Sequence, residues 1–297
     1  ISSAFNSAVT VYILIPLLLI PQMILSGLLF KFDKLNELIS NKGKVPIVAD
    51  LMASRWAYEA MAVYQFTQND YEKYFFTEEL ERSQADVKSV FISDKLKESN
   101  TFLLANYQNT TDTVQQLVAH HISILRSILR NESSYTASLP TVTTYNKVYG
   151  ENLDSFLDGY KFYYKNKFKE KDILIEKKMS FYEQQGWDIT SNKNKYYNET
   201  LADLVRNIST EDRVLEYNSE LLQQVDPIFQ SPAPSHFADY RGVFFAPEKQ
   251  WFFLHIPTPV FNLLDIWAMS AALYYLLYKE SFRKAINISE TFRKIKK

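Results

Sequence analysis

The chain opens with a long run of apolar positions that no charged residue interrupts. The segment from Ala8 to Phe30, AVTVYILIPLLLIPQMILSGLLF, holds 23 residues without Asp, Glu, Lys or Arg. A helix of that length would extend roughly 34 Å, enough to cross a hydrocarbon core of about 30 Å. Pro16 and Pro21 remove helical hydrogen bonds, which membrane helices tolerate when they pack against other helices. The pattern therefore predicts a transmembrane helix that belongs to a bundle.

A second apolar run lies near the C-terminus. The segment from Pro259 to Tyr278, PVFNLLDIWAMSAALYYLLY, has eight Val, Ile, Leu or Phe residues and one charged residue, Asp265. A carboxylate at the centre of a span costs about 2.5–3.5 kcal/mol, so this span is predicted to be the weaker of the two. Asn262 and Asp265 are candidate site residues, because polar groups inside a span often line a path. The alternative is that Asp265 caps or pairs near the outer interface.

Helical spacing dominates the stretch between the two runs. An amphipathic helix that carries Trp56 is predicted after Val45-Pro46-Ile47, and it fits either a membrane interface or an ordinary soluble helix. Three longer helices are predicted over residues 101–130, 152–185 and 196–225, as in an antiparallel bundle or coiled hairpin. No alternating pattern is strong enough for a large sheet. The predicted fold class is all-α, with two transmembrane helices flanking a large extracytoplasmic helical domain.

Charge is distributed unevenly along the chain. From Lys31 to His255 there are 26 Lys and Arg against 31 Asp and Glu, a net charge of −5. The tail from Lys279 to Lys297 has seven basic and two acidic residues, a net charge of +5. The positive-inside rule places this tail in the cytoplasm, with residues 31–255 on the extracytoplasmic side of the plasma membrane. The folded part is acidic, which argues against a nucleic-acid partner.

These patterns predict five segments. They are a transmembrane helix over 1–30, an interfacial or external helical segment over 31–76, an extracytoplasmic helical insertion over 77–255, a last transmembrane helix over 256–278 and a basic cytoplasmic tail over 279–297.

Groups that could carry catalysis are sparse. The sequence contains no cysteine, which excludes disulfides, thiolate metal sites and cysteine nucleophiles within it. His120 and His121 are adjacent, so on a helix they point in different directions and cannot chelate one ion as an i, i+4 pair would. No GxxxxGK[ST] phosphate loop and no GxSxG elbow occurs in the sequence. We therefore predict no catalytic, cofactor-binding or metal-binding residue in this chain.

Two segments carry short motifs that together resemble a known family. IPQMILSGLLFKFDKL contains the small-residue pair Ser26-Gly27, and the following segment carries SRWAYEA from Ser54 to Ala60. These segments resemble ABC exporter permeases of the White, or G-subfamily, type, in which a span ends in a small-residue turn. More narrowly, the chain resembles the C-terminal third of fused ATPase–permeases of Bacteroidetes-type bacteria, with a larger external insertion. The resemblance covers residues 8–76 and 244–284.

The resemblance implies a homodimer in the membrane lipid whose helices line a translocation path. ATP hydrolysis would take place in a nucleotide-binding domain outside this chain, where ATP and Mg²⁺ bind. Since residue 1 is not Met and no basic segment precedes the apolar run, we expect the chain to be the C-terminal part of a longer polypeptide. Arg55 and Glu59, one helical turn apart, are expected to orient the interfacial helix. The candidate structural and path residues are Ser26, Gly27, Arg55, Trp56, Glu59, Asn262 and Asp265.

A different class of protein stays open at this point. The same pattern fits a two-span receptor or sensor whose helical ectodomain binds a ligand or a partner. A start codon directly before Ile1 in the gene would favour that alternative, whereas an upstream GxxxxGK[ST] motif would favour the exporter.

Overall fold

The computed structural model describes residues 7–29, 32, 45–232, 240, 243–281 and 284. The contacts divide the chain into two compact units, one formed by residues 1–64 and 232–297 and the other by residues 65–231. The helices are α1 (Ala8–Ile24), α2 (Ile47–Asp50), α3 (Ala53–Thr67), α4 (Phe76–Val87), α5 (Ser93–Asn106), α6 (Asp112–Leu129), α7 (Lys147–Gln184), α8 (Ile189–Tyr196), α9 (Glu199–Arg206) and α10 (Thr258–Tyr278). The strands are β1 (Val214–Tyr217), β2 (Glu220–Gln223), β3 (Glu248–Trp251) and β4 (Leu254–Pro257).

Helix α1 is shorter than the uncharged run that contains it. It ends at Ile24 after 17 residues. The Ser26 hydroxyl then donates to the Met23 carbonyl over 2.7 Å, the Leu28 N–H donates to the Ser26 hydroxyl oxygen over 3.2 Å, and Gly27 adopts a φ of +81°. A glycine in this left-handed conformation turns the chain away from the helix axis. The apolar run does contain a helix, as predicted, but the helix is shorter than the run.

Among the described helices, α10 is the one long and apolar enough to cross a membrane. The shorter α1 is an apolar helix below that length. The prediction of two transmembrane helices flanking a helical domain is therefore wrong.

The prediction of an all-α fold is also wrong, because two antiparallel two-stranded sheets are present. Strands β1 and β2 pair from Val214↔Gln223 to Tyr217↔Glu220, within the range predicted as one helix over 196–225. That helix is interrupted because Asn207 takes a φ of +50°, which ends α9. The later turn residues have positive φ as well, so the chain forms a hairpin. Strands β3 and β4 pair from Glu248↔Pro257 to Trp251↔Leu254.

In the unit of residues 65–231, helices α4 to α7 pack around one hydrophobic core. Leu96, Leu103, Leu125 and Leu157 are fully buried in it. Helix α7 contains 38 residues, and Gly186, at a φ of +84°, follows its end. The helix predicted over 101–130 is instead the end of α5 and the whole of α6, with a break between Asn106 and Asp112.

In the other unit, a small apolar cluster fixes the chain just beyond α1. Phe32, Val45 and Ala49 are buried in this cluster, and Leu25 and Phe244 pack against them. A Cβ atom on Gly27 would lie 2.8 Å from the Phe244 ring, so only glycine fits both the space and the backbone conformation there. This cluster lies at the start of the segment that leads into α2 and α3.

Candidate functional site

Helix α3 places two oppositely charged side chains on one buried face. Arg55 and Glu59 are one turn apart and expose 1% and 0% of their surface. Nη2 of Arg55 lies 3.5 Å from Oε2 of Glu59, and Nη1 of Arg55 lies 3.6 Å from Oδ1 of Asp50 in α2. Because a buried charge is costly unless it is paired, these contacts are what allow a guanidinium to remain inside the unit.

Glu59 is the centre of a larger set of contacts. Its Oε1 accepts hydrogen bonds from Nζ of Lys249 over 2.6 Å and from the backbone N–H of Phe245 over 3.3 Å. Its Oε2 accepts from Nδ2 of Asn262 over 2.9 Å. Lys249 lies in β3 and Asn262 in the first turns of α10. One carboxylate therefore joins α3, β3 and α10, and we call Asp50, Arg55, Glu59, Lys249 and Asn262 the Glu59 network.

The electrostatics of the network favour an ionised Glu59. Burial by itself would raise the pKa of the Glu59 carboxyl, but the charges of Lys249 and Arg55 and the hydrogen bonds from Lys249 and Asn262 lower that pKa below its usual value. Burial lowers the pKa of Lys249, against the opposing attraction of Glu59. Two basic and two acidic side chains make the network formally neutral, which limits the cost of keeping ions away from water.

Trp56 completes the packing of this site. The guanidinium carbon of Arg55 lies 3.8 Å from the centre of the Trp56 ring, a cation–π contact. The indole N–H donates to the Asp50 carbonyl over 2.8 Å, and Nδ2 of Asn262 donates to the Trp56 carbonyl over 3.1 Å. Trp56 is buried inside its unit. Its ring therefore packs against other parts of the protein.

The remaining candidate residues lie outside the network. Ser26 and Gly27 form the turn after α1. Helix α1 is tied to α3 by a hydrogen bond of 2.8 Å from the Ser54 hydroxyl to the Gln22 carbonyl. Asp265 lies three residues beyond Asn262 on α10 and is partly exposed. Within the described parts of the chain, it forms no hydrogen bond or salt bridge to the network.

Sequence reasoning missed Lys249, the side chain that brings β3 into the site. It is 1% exposed. The available signal was its position as a lone cation inside the aromatic stretch VFFAPEKQWFF, from Val243 to Phe253. Lysine is almost never fully buried unless it is paired, so such a position can indicate a hidden carboxylate partner.

The network is closed to solvent, and this limits its chemistry. The side chains of Glu59 and Lys249 are both covered by protein. In the other unit, Nδ1 of His120 lies 2.8 Å from the Ser219 hydroxyl, and Nε2 pairs with Glu216. No group of three or more His, Cys, Asp or Glu residues suited to a metal occurs among the described residues; His236 lies outside them. The geometry is that of a structural joint.

No family model, no curated protein and no solved structure matches this chain. The functional assignment therefore depends on the residues and their geometry.

Proposed function

We propose that this chain is the C-terminal permease part of an ATP-driven exporter of the ABC class. In this proposal α10 crosses the plasma membrane, and the Glu59 network holds the interfacial part of α3 against it. The network carries the proposal, because it joins the helix with the SRWAYEA sequence to the first turns of the apolar C-terminal helix through fully buried contacts.

The surface of α10 supports a membrane location. Almost none of its apolar window is buried inside the chain, and Leu263, Leu264 and Trp267 are exposed. Such a surface needs lipid or neighbouring helices to cover it. The basic residues after Tyr278 would lie in the cytoplasm, and residues 31–255 on the opposite side. This topology depends on α10 alone.

A buried ionic joint suits a helix that must move as a unit with its neighbours. Separating Lys249 from Glu59 would leave unpaired ions in an apolar interior, so α3, β3 and the start of α10 are expected to move together. In the proposed exporter, ATP and Mg²⁺ bind in a nucleotide-binding domain outside this chain, and a second copy of the permease completes the path. The buried joint would transmit movement of α10 to the external segment.

The first test is the gene upstream of this chain. A GxxxxGK[ST] motif in the same reading frame or in an adjacent gene is expected. The full protein, reconstituted in lipid nanodiscs, should hydrolyse Mg-ATP, and this activity should be lost when the lysine of that motif is replaced by methionine. Absence of a nucleotide-binding domain from both places would contradict the proposal and favour the receptor alternative.

The second test addresses the joint itself. The Arg55→Ala variant should assemble poorly or change the rate of ATP hydrolysis in nanodiscs. A matched control is Lys95→Ala, which removes an exposed ion pair with Glu98 in the other unit and should leave both measurements unchanged. If Arg55→Ala behaved like the control, the network would have no part in the activity.

A further inference from the structure

We infer that the tip of the β3–β4 hairpin inserts into the interfacial layer of the bilayer and anchors the start of α10 at the extracytoplasmic surface. The inference rests on the proposed membrane span of α10. It assigns a lipid-binding role to a second element, the β3–β4 hairpin, for which the family resemblance implies no role.

The tip is an exposed apolar cluster. Trp251 and Leu254 form the last pair of the sheet, and Phe252 and Phe253 form the two-residue turn between them. Phe253 exposes 86% of its surface, Leu254 64% and Trp251 45%. Four consecutive large apolar residues at a hairpin tip are unusual for a surface that meets water, where polar residues and glycine are preferred.

The backbone conformation of the turn makes its aromatic residues more unusual. Phe252 has a φ of +54°. A bulky side chain is disfavoured in this left-handed region, and glycine is the usual residue at the first turn position of such hairpins. An aromatic residue thus occupies a position that glycine would fit better, and aromatic side chains partition well into the membrane interface.

The hairpin also has a polarity gradient along its length. Glu248, in the pair farthest from the tip, carries the surface charge of the hairpin, and its carboxylate lies 3.5 Å from the ring of His255, which pairs with Gln250. The one other charge, Lys249, faces inward and is neutralised by Glu59. A strand rises about 3.3 Å per residue, so the base and the tip are about 10 Å apart. This distance matches the depth of about 5–10 Å to which interfacial segments bury their apolar face.

The attachment of the hairpin to α10 places the tip at the level where the helix begins. The Thr258 hydroxyl donates to the Ala246 carbonyl over 2.6 Å, and its N–H donates to the Pro247 carbonyl over 2.9 Å. At the other end, the Trp251 ring lies 6.5 Å from that of Phe261, in the first turn of α10. The tip therefore lies beside the first turn of the proposed span, where the interface would be.

The test uses single-cysteine variants of the full protein on a cysteine-free background, since this sequence contributes no cysteine. A nitroxide label is placed at Phe253→Cys, and its collision rates with oxygen and with a water-soluble nickel chelate are measured in phosphatidylcholine–phosphatidylglycerol nanodiscs. The matched control is Asn218→Cys, at the exposed tip of the β1–β2 hairpin. A third label at Ala268→Cys, midway along α10 and exposed, reports the span itself.

We expect the oxygen-to-nickel ratio at Phe253→Cys to shift away from that at Asn218→Cys and towards that at Ala268→Cys. If Phe253→Cys matches Asn218→Cys while Ala268→Cys is in lipid, the hairpin inference fails and the proposed function stands. Shielding of Phe253→Cys from both reagents would indicate a protein contact, such as a second copy, and would also overturn the inference. If Ala268→Cys is accessible to nickel, the membrane basis of the proposed function fails as well.

Discussion

The two β-hairpins of this chain have the same size and opposite surfaces. Each pairs four residues on each strand and closes with two turn residues. In the β1–β2 hairpin, Asn218 and Ser219 both have positive φ, as in a type I′ turn, whereas in the β3–β4 hairpin Phe252 does and Phe253 does not. Asn and Ser suit a turn in water, while two phenylalanines do not. The difference teaches that strand pairing of the same length does not determine which residues form the turn.

The hairpins are also attached in different ways. His120 of α6 contacts Ser219 and Glu216 at the surface of its unit. Lys249 attaches the other hairpin through an ion pair with Glu59 from which water is excluded. An exposed pair is screened and contributes little, whereas breaking a buried pair leaves a charge that nothing compensates.

The largest effect is expected from removing the buried attachment. Lys249→Ala should lower the free energy of unfolding by about 3–5 kcal/mol, because Arg55, at 3.5 Å, would be the one cation of the network still paired with the buried Glu59 carboxylate. The measurement is chemical unfolding of the purified chain in detergent, followed by circular dichroism.

A paired variant separates loss of charge balance from loss of packing. Glu59→Gln combined with Lys249→Met should cost less than the sum of the two single changes, because neither charge is then left alone. An additive result would show that the two side chains contribute independently, and the contrast with the exposed hairpin would disappear.

The unit of residues 65–231 also contains a buried glutamate, Glu72, and its pKa shifts in the opposite direction to that of Glu59. Burial, reinforced by the nearby Glu79 carboxylate, raises the pKa of Glu72 from 4.5 to about 9, although Arg206 and Arg82 oppose this. The unfolded chain loses this proton near pH 4.5, whereas the folded chain holds it up to about pH 9. Stability of the unit is therefore expected to fall as pH rises between these values. Glu72→Gln cannot ionise, so at pH 8 it should be more stable than the wild type by roughly 1–3 kcal/mol.

The pH profile supplies the control. Glutamine resembles the protonated carboxyl, so the two proteins should have nearly equal stability at about pH 4, below the unfolded pKa of a glutamate. Unfolding of the wild type and of Glu72→Gln, measured from about pH 4 to 8, should give curves that diverge above that pKa. Parallel curves would mean that Glu72 ionises in the folded protein without cost.

Residues whose neighbours are local in sequence could be predicted. The i, i+4 spacing placed Arg55 and Glu59 together, and the helix predicted to end at residue 185 ends at Gln184. Helical periodicity did not reveal the β1–β2 hairpin, because its strands are only four residues long and its turn lacks the Asn-Gly signal. The charge-free run to Phe30 did not by itself indicate the turn at Gly27, which the family resemblance implied.

The centre of the site required contacts that are distant in sequence. Lys249 is 190 residues from Glu59 and Asn262 is 203 residues from it. A sequence pattern reports the periodicity of one element, and it contains no information about which element packs against another. The sequence therefore pairs Arg55 with Glu59 but leaves Asn262 apart from them, and the hydrogen bond from Asn262 to Glu59 appears only in the fold.

A smaller effect is expected from relieving the strained turn. Phe252→Gly should raise the free energy of unfolding by about 1 kcal/mol in detergent-free buffer or short-chain detergent, because glycine adopts positive φ without steric cost. Asn218→Gly at the matching position should change stability by only a few tenths of a kcal/mol, since Asn tolerates this conformation. Equal effects at the two positions would remove the reason to regard the Phe252 turn as strained.

The smallest effect is expected at the exposed attachment. Glu216→Gln removes one of the two partners of His120 and, in acidic buffer where a histidine side chain is charged, should cost about 0.2–1 kcal/mol, as exposed ion pairs do. This cost should shrink in high salt, where screening weakens charges that lie in water, while the cost of Lys249→Ala should persist because its partner is buried. Unfolding of both variants at low and high salt therefore tests the comparison within one experiment. A Glu216→Gln cost that is large and independent of salt would mean that both hairpins are held by contacts of the same strength, and that the difference between their tips needs another cause.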